Sequence, residues 1–310
     1  MRIGTVRELW RFPVKSMGGE RVDAAAIDER GVHGDRLWAV RDEEKGALTN
    51  AKRIPSLLML DARYVREPAP DVGPGTVPDV VITFPDGTTV SSSDAHVDAR
   101  LSEFLGKRVT LCSLHPASDK AHYKASSSSA AEMREQFALD EGEPLPDFSM
   151  MPLAKLMELG KYATPPGTYF DAMPLHVVTT ASLGEWDARR FRANIVVDTG
   201  ELRGYQELEW TGGTLAFGAC TAFVDCPTPR CSMPTRAQVG GVPADKTVLK
   251  TVARDAERCL GAYTTITRAG AVRVGDEVVF EPPATSKLGE WAKKRATGLK
   301  RMLLRAAMPK

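Results

Sequence analysis

The segment from Cys226 to Arg236 carries the strongest chemical signal in the sequence, because it reads Cys-Pro-Thr-Pro-Arg-Cys-Ser-Met-Pro-Thr-Arg. Prolines stiffen the chain immediately before Arg230 and Cys231, and a neighbouring guanidinium favours the thiolate form of a thiol. A thiolate on a stiff loop can bind a soft metal or act as a nucleophile. The alternative is a proline-rich turn with an incidental cysteine, which the spacing alone slightly favours.

The remaining cysteines and the histidines predict no second metal centre. Zinc knuckles need two Cys-x-x-Cys pairs, which are absent, and a plant-type iron–sulfur site would need a cysteine where Pro234 stands. Five widely spaced cysteines do not indicate a disulfide framework, so we expect a reducing, cytoplasmic setting. No two histidines stand four residues apart, and we expect all of them to be structural or exposed. They are His33, His96, His115, His122 and His176.

Three further segments carry side chains suited to an anionic, polar ligand. Lys15 and Ser16 stand between Pro13 and Gly18, where an ammonium, a hydroxyl and backbone N–H groups can cradle phosphate. The order of a Walker loop is absent, and a solvated turn lysine is the plain alternative.

The other two segments surround Arg36 and Arg192. Arg192 and Asn194 lie two residues apart, so they share one face of an extended segment. A guanidinium binds phosphate through two parallel hydrogen bonds, and an amide side chain pairs with polar ring edges. The alternative for each of these residues, taken singly, is an exposed salt bridge, which is about as well supported as a binding role.

The elements that must position these residues predict a mainly β chain with some α structure, an α+β fold. Short β-branched segments separated by Gly, Pro and Asp fill residues 1–115 and return after residue 175. We expect an N-terminal β-barrel-like domain at 1–115, a linker at 116–150, a second β-barrel domain at 151–283 and a tail at 284–310. Helices are expected over 95–105, 183–190 and 246–258, and a strand over 207–210. The absence of βαβ alternation argues against a doubly wound parallel sheet.

Composition is that of a globular chain: 310 residues, 43% hydrophobic, 26% charged and net charge +1. It excludes disordered, coiled-coil and collagen-like classes. From the sequence we expect neither a membrane-spanning stretch nor a secretory signal, and we expect no nucleic-acid partner. Residues 286–310 hold eight basic residues against Glu290. Their spacing predicts a basic amphipathic helix for an anionic membrane surface or an acidic partner, or else a helix packed on the protein itself.

Taken together, the motifs resemble the MOSC superfamily, the molybdenum-cofactor sulfurase C-terminal domain with its N-terminal β-barrel partner. Within this superfamily, the motifs resemble those of the bacterial and mitochondrial amidoxime-reducing proteins. The resemblance covers about residues 1–282. It rests on Phe-Pro-Val-Lys-Ser at 12–16, Gly-x-x-Gly-Asp-Arg-x-Trp at 31–38, Arg-Phe-Arg-Ala-Asn-Ile-Val-Val at 190–197, Pro-Arg-Cys at 229–231 and Val-Gly-Asp-Glu-Val at 274–278.

This resemblance implies a molybdenum cofactor, a pterin-bound metal held by one cysteine, which by motif position is Cys231. Cys231 would then be both metal ligand and catalytic residue. The implied cofactor-binding residues are Lys15, Ser16, Arg36, Arg192, Asn194, Arg230 and Tyr263, and Asp171 falls near a cofactor-contacting segment. Two departures matter: a family Thr-x-Arg is replaced by a stretch containing Lys52 and Arg53, and Pro229 replaces a small hydroxyl residue of the mitochondrial relatives.

The implied activity is reduction of N-oxygenated small molecules such as amidoximes, hydroxamic acids and hydroxylated nucleobases. Because no cysteine follows Cys259, electrons would come from a separate ferredoxin- or cytochrome b5-like protein and its reductase. The rival class is a carrier of the cofactor or of a persulfide on Cys231. A β-barrel binding module with a degenerate site is a third alternative, and molybdenum is not distinguished from tungsten.

Overall fold

A computed structural model describes residues 1–284, and the predicted basic tail helix lies outside the described residues. Within that range the strands are β1 Arg2–Arg11, β2 Glu20–Val22, β3 Ala24–Asp28, β4 Gly31–Val32, β5 Trp38–Asp42, β6 Ala47–Leu48, β7 Asp61–Tyr64, β8 Val80–Thr83, β9 Thr89–Ser91, β10 Val109–Ser113, β11 Leu175–Thr179, β12 Ile195–Asp198, β13 Thr214–Phe217, β14 Cys220–Pro229, β15 Cys259–Arg268, β16 Gly270–Arg273 and β17 Glu277–Glu281. The helices are α1 Val97–Leu105, α2 Lys120–Tyr123, α3 Ala130–Gln136, α4 Leu153–Leu159, α5 Thr180–Leu183 and α6 Thr247–Ala256. None of these helices has both the length and the apolar character that a membrane crossing requires.

Seven of the described strands close into a barrel, which confirms the mainly β, α+β prediction. The strands follow one another as β12, β11, β15, β14, β13, β17 and β1, and β1 pairs back to β12. Only the β11–β12 pair is parallel; the other barrel pairs are antiparallel. Alternate apolar residues of these strands, among them Val177, Leu215 and Val224, fill the interior.

The first strand belongs to the same barrel as the strands of the second half of the chain. Its residues Thr5 to Leu9 pair with Asp198 to Ile195 of β12. The segment that follows β1 therefore leaves the barrel at its rim and enters a second hydrophobic core, where Val14 and Met17 pack with Trp38. Apolar residues of β5, β7–β10 and α1 also pack in this second core. The segment carrying Lys15 is thereby held between the two cores. The domain boundaries expected at residues 115 and 150 stay a prediction.

Two predicted elements are wrong, and one buried side chain explains the second error. In place of the helix expected over 183–190, α5 ends at Leu183 and is capped by Gly184 with φ +54°, and a 3-10 turn follows at Ala188–Phe191. The strand expected over 207–210 is a 3-10 turn at Gln206–Glu209. Its Glu207 is fully buried in the interior instead of alternating along a ladder. The stretch expected as a linker contains α2 and α3.

Glu207 joins three separate segments of the barrel. Its carboxylate accepts hydrogen bonds from Thr179 Oγ1 at 2.8 Å, Ser182 Oγ at 2.6 Å and the N–H of Gly261 at 3.0 Å. Burial raises the pKa of Glu207, although these hydrogen bonds act to lower it. The carboxyl therefore holds its proton to higher pH in the folded chain than in the unfolded one.

We expect this raised pKa to make stability depend on pH. For an acid with a raised folded pKa, the contribution to the free energy of unfolding is complete below the unfolded pKa of about 4.3 and is lost as pH rises through the folded pKa. The stability of the wild type relative to Glu207→Gln should therefore fall as pH rises from about 4. Urea unfolding between pH 4 and 8 measures this difference. The exposed Glu209→Gln is the control, and parallel curves for wild type and Glu207→Gln would contradict the expectation.

Candidate functional site

A cavity at the rim of the barrel brings most of the predicted site residues together. It lies where β11 and β12 begin and β14 ends, beside β15 and against the second core. Its lining includes Arg36, Asp171, His176, Arg190, Arg192, Asn194, Arg230, Cys231 and Tyr263. A larger cavity of about 560 Å³ adjoins it. Cys231 and Tyr263 line both cavities, so the thiol stands at their junction.

Cys231 is positioned by the segments on either side of it. β14 ends at Pro229, and the N–H of Arg230 donates to the carbonyl of Arg258 at 2.8 Å. On the other side, the N–H of Ser232 donates to the carbonyl of Gln136 at 2.9 Å, and a 3-10 turn begins at Met233. The thiol is half-buried, unoxidised and without a hydrogen-bond partner among residues 1–284. It is held in place by backbone contacts and is free to bind a ligand.

Arg192 brings a buried charge to this cavity. Its backbone has φ +54° between the 3-10 turn at Ala188–Phe191 and β12. Its Nη1 donates to the carbonyl of Met17 at 2.5 Å, and its guanidinium lies 4.2 Å from the centre of the Phe12 ring. Nη2 is buried and has no hydrogen-bond partner within the described chain. Burial, and then the charge of Arg36, lowers the pKa of Arg192 to about 9. An anion placed beside Arg192 would favour the charged guanidinium and so offset both the burial and the charge of Arg36.

Arg36 lies beside Arg192, and the carboxylate of Asp35 partly neutralises its charge. Its guanidinium pairs with the buried carboxylate of Asp35, donates to the carbonyl of Arg192 at 3.3 Å and lies 5.1 Å from the centre of the Phe12 ring. Asp35 also accepts from the N–H of Phe12 at 2.7 Å. One acidic side chain thus fixes both the arginine and the start of the Lys15 segment.

Arg230 and Asn194 face the cavity from opposite strands. Nη2 of Arg230 donates to the carbonyl of Phe191 at 3.0 Å, while its Nε is buried without a partner in the described structure. The amide of Asn194 bridges the backbones of two strands: it accepts from the N–H of His176 and donates to the carbonyl of Trp10, each at 3.3 Å. Arg230 therefore has a free donor, whereas Asn194 mainly holds the rim together.

Lys15 is buried and reaches the cavity through its partners. Its Nζ donates to the carbonyl of Tyr169 at 3.0 Å and to Asp171 Oδ1 at 2.5 Å. Burial lowers the pKa of Lys15, although Asp171 acts to raise it. Desolvation acts to raise the pKa of Asp171, but the charges of Lys15 and Lys52 hold it below its usual range. The half-exposed Asp171 carboxylate itself lines the cavity.

Ser16 is the predicted site residue that the fold turns away from the cavity. Its hydroxyl accepts the N–H of Ala51 at 3.0 Å, and its backbone has φ +71°. Lys52 and Arg53, the two cations in place of the family arginine, both line the larger cavity. Arg53 is bound to the hydroxyls of Ser126 and Ser128, with a distance of 2.7 Å to the latter.

His176 is a site residue that the sequence did not reveal. The prediction that it is structural or exposed is incomplete, because it is buried and its Nε2 lies 3.5 Å from Nη1 of Arg230. Its ring centre lies 5.5 Å from that of Tyr263. Burial and the charge of Arg230 hold the pKa of His176 well below its usual value, so the ring is neutral. Burial also raises the pKa of Tyr263, which keeps its phenol protonated.

Gly261 supports the position of His176. It adopts φ +90°, and an added Cβ would overlap with Nε2 of His176 and lie 2.9 Å from the carbonyl oxygen of Val177. We expect Gly261→Ala to push the imidazole toward the cavity and to destabilise the protein. Gly275→Ala is the matched control, because it has φ +92° with open space around it.

The difference between the two alanine variants measures the packing cost alone, because both bear the cost of a positive φ. We expect Gly261→Ala to lose about 1–3 kcal/mol more than Gly275→Ala in urea unfolding, as for an overpacked core. Equal losses in the two variants would show that the close approach to His176 does not matter.

The donors in this cavity fit a bound anion that carries a metal. Arg192 Nη2 and Arg230 Nε, from the lining of the smaller cavity, are buried polar atoms without a partner in residues 1–284. Such groups are costly unless a ligand satisfies them. The cavity also has a free thiol in Cys231, and buried cations outnumber its carboxylates. The chemistry of the donor set is therefore that of an anionic cofactor with a thiophilic metal.

Comparisons with known proteins identify two domains. The family model described as the MOSC N-terminal beta barrel domain matches residues 3–110, and the one described as the MOSC domain matches residues 169–279. Mitochondrial amidoxime reducing component 2 of Bos taurus is 36% identical over 67 residues, a match that spans 20% of this chain and 20% of that protein.

Solved structures show only distant likeness. The YuaD protein of Bacillus subtilis is 11% identical with a TM-score of 0.36, over 89% of this chain and 93% of its own. YiiM of Geobacillus stearothermophilus is 15% identical with a TM-score of 0.27, over 35% of this chain and 54% of its own. Likeness at these TM-scores carries no argument about the site.

Proposed function

From the premise that this chain is a MOSC-domain protein, with an N-terminal MOSC β-barrel domain and a MOSC domain, we propose that it is a molybdenum-cofactor oxidoreductase. Its substrates are N-oxygenated small molecules, and its electrons come from a separate donor protein. The observation that carries this proposal is the position of the Cys231 thiol. It lies between a cavity of buried, unpaired cationic donors and a larger, mostly apolar-walled cavity.

The smaller cavity supplies the groups that hold the cofactor. Cys231 is the metal ligand, while Arg192 and Arg230 supply free donors to the anionic part of the cofactor and Arg36 supplies charge. When bound, a molybdenum cofactor supplies two-electron redox chemistry and accepts an oxygen atom. Lys15 and Asn194 act as positioning residues, since their polar atoms already bind Asp171, Tyr169 and the rim strands.

The larger cavity is the place where the substrate binds. Its walls include Met133, Phe137, Phe148, Leu156 and Tyr162. These residues suit the apolar body of an amidoxime or hydroxamic acid. Reduction of an N–OH group consumes two electrons and two protons and releases water. Tyr263 Oη, a protonated phenol in both cavities, is placed to hold a proton or a hydrogen bond near the thiol.

The donor protein is inferred from the chain's own chemistry. All five cysteines of the sequence lie within the described residues, where none forms a disulfide, and only Cys226 and Cys231 share one segment. They do not form an iron–sulfur ligand set. A ferredoxin- or cytochrome b5-like partner with its reductase is the class of donor that this proposal requires.

The test uses the full chain expressed with molybdate. Metal content is measured by mass spectrometry, and conversion of benzamidoxime to benzamidine is followed with reduced methyl viologen as donor. About one molybdenum per chain with turnover supports the reductase. Bound molybdenum without turnover of benzamidoxime or an N-hydroxylated nucleobase would overturn it in favour of a cofactor carrier. A protein without molybdenum would overturn both.

A further inference from the structure

Outside the cavity, a second group of ligand-type side chains converges where the chain leaves β10. His115 follows β10, and Asp119 caps the N-terminus of α2, which contains His122. Ligand atoms of these three residues all lie within 4.8 Å of one another. No residue of this cluster lines the Cys231 cavities, and the inference below does not rest on the proposed function.

The cluster is compact enough to surround a small metal ion. Nδ1 of His115 lies 3.0 Å from Asp119 Oδ2, close to the spacing of roughly 3.3 Å between ligand atoms of a tetrahedral zinc ion. The two imidazole rings are stacked and parallel, with centres 3.7 Å apart and an angle of 2° between their planes. Metal binding would therefore require the ring of His115, which is held by Asp119, to turn out of the stack while His122 keeps its contact with Tyr169.

The hydrogen bonds of Tyr169 fix the tautomer of His122. The Tyr169 hydroxyl donates its single proton to the carbonyl of Ser113 at 2.8 Å. It lies 2.7 Å from Nε2 of His122, and with its proton already used it must accept from an Nε2–H group. The lone pair of His122 therefore lies on Nδ1. Metal-binding histidines typically donate their second ring N–H to such a partner, which orients the ring.

The three residues differ in their exposure to solvent. His122 is buried, whereas His115 and Asp119 are each about two-fifths exposed. The half-exposed partners leave a path for the ion from solvent.

We propose that His115, Asp119 and His122 form a binding site for a divalent transition metal such as zinc, with three protein ligands and an open position toward solvent. Two imidazoles favour zinc, iron, cobalt or nickel over magnesium and calcium, which prefer oxygen ligands. This proposal departs from the sequence expectation that the histidines serve no metal. The pattern is a His-x-x-x-Asp-x-x-His spacing, in which the pair four residues apart consists of a histidine and an aspartate.

The site would also strengthen one support of the Cys231 cavity. Tyr169 binds His122 through its hydroxyl and accepts the Lys15 ammonium on its backbone carbonyl. A metal bound to His122 would therefore clamp the segment from Tyr169 to Asp171 against the loop that follows β10.

The experiment titrates Co²⁺ and Zn²⁺ into the full chain carrying Cys231→Ala, so that the thiol cannot contribute. After treatment with a chelator and dialysis at pH 7.5, binding is followed by calorimetry and by the visible absorption of Co²⁺. We expect one Co²⁺ per chain and no response to Mg²⁺. His115→Ala and Asp119→Asn should each weaken binding by at least about 10-fold, and Tyr169→Phe should weaken it by about 10-fold through loss of the outer hydrogen bond.

His96→Ala is the control, because it removes an exposed histidine far along the chain from the cluster. Thermal unfolding of each metal-free variant establishes that it is folded. Absence of stoichiometric Co²⁺ binding, or binding that His115→Ala and Asp119→Asn leave unchanged, would overturn the site. Because Cys231 is absent from every sample, this result is independent of whether the molybdenum proposal succeeds.

Discussion

Replacing Cys231 with serine is expected to remove molybdenum from the protein and to lower benzamidoxime reduction by at least about 100-fold, because a sole protein ligand is lost. Serine is nearly the same size as cysteine, and the thiol has no hydrogen-bond partner in residues 1–284 whose loss would destabilise the chain. The melting temperature of the metal-free protein should therefore change little. Metal content, activity and thermal unfolding of the same preparation measure the three quantities.

Cys112→Ser is the matched control for this experiment. Cys112 is also a half-buried free thiol, but it lies in β10 and, within residues 1–284, donates a hydrogen bond to the carbonyl of Thr110 at 3.8 Å. It should keep full metal content and activity. Molybdenum retained at one per chain in Cys231→Ser would contradict the assignment of Cys231 as the metal ligand.

Replacing Arg192 with methionine is expected to have opposite effects on stability and on cofactor retention. Without a bound anion, Arg192 is a buried cation with one unpaired nitrogen and a lowered pKa. Removing such a charge should stabilise the empty protein, whereas losing the hydrogen bond to Met17 should destabilise it by a smaller amount. The net result should be a rise of about 1–2 kcal/mol in the free energy of unfolding. Loss of a charged donor should weaken cofactor retention roughly 10- to 100-fold.

Urea unfolding of cofactor-free protein and molybdenum content after dialysis give the two readouts. The control is Arg189→Met, because Arg189 is partly exposed, pairs with Asp187 and does not line the Cys231 cavities. It should leave cofactor retention unchanged. A destabilised Arg192→Met protein that holds its cofactor as tightly as the wild type would show that Arg192 is structural.

The chemistry of the thiol segment and the class of fold could be predicted from sequence because both depend on local patterns. Prolines beside Arg230 and Cys231 stiffen the segment whatever surrounds it. Alternating β-branched residues and turn residues predict strands, and β1, β5 and β10 lie within residues 1–115, where that pattern predicts short strands. Motif order then linked segments that are far apart in the chain.

Other predictions failed because tertiary contacts overrode the local pattern. Residues 207–210 have the composition of a strand, but the Glu207 carboxylate is drawn inside by donors from Thr179, Ser182 and Gly261. The helix expected over 183–190 ends at once because Gly184 adopts φ +54°. No single-segment pattern carries that information.

The sequence by itself thus determined which residue types were available to the site: a stiffly mounted thiol, several cations and an amide. Tertiary structure decided how each is used. Closure of the barrel through β1 carries the Lys15 segment to the rim, turns Ser16 toward Ala51 and brings His176 beside Arg230. Burial then decides the charge states, because desolvation acts only once the chain has folded around a group. The burial of each group cannot be predicted from the spacing of residues in the sequence, whereas the packed structure shows it.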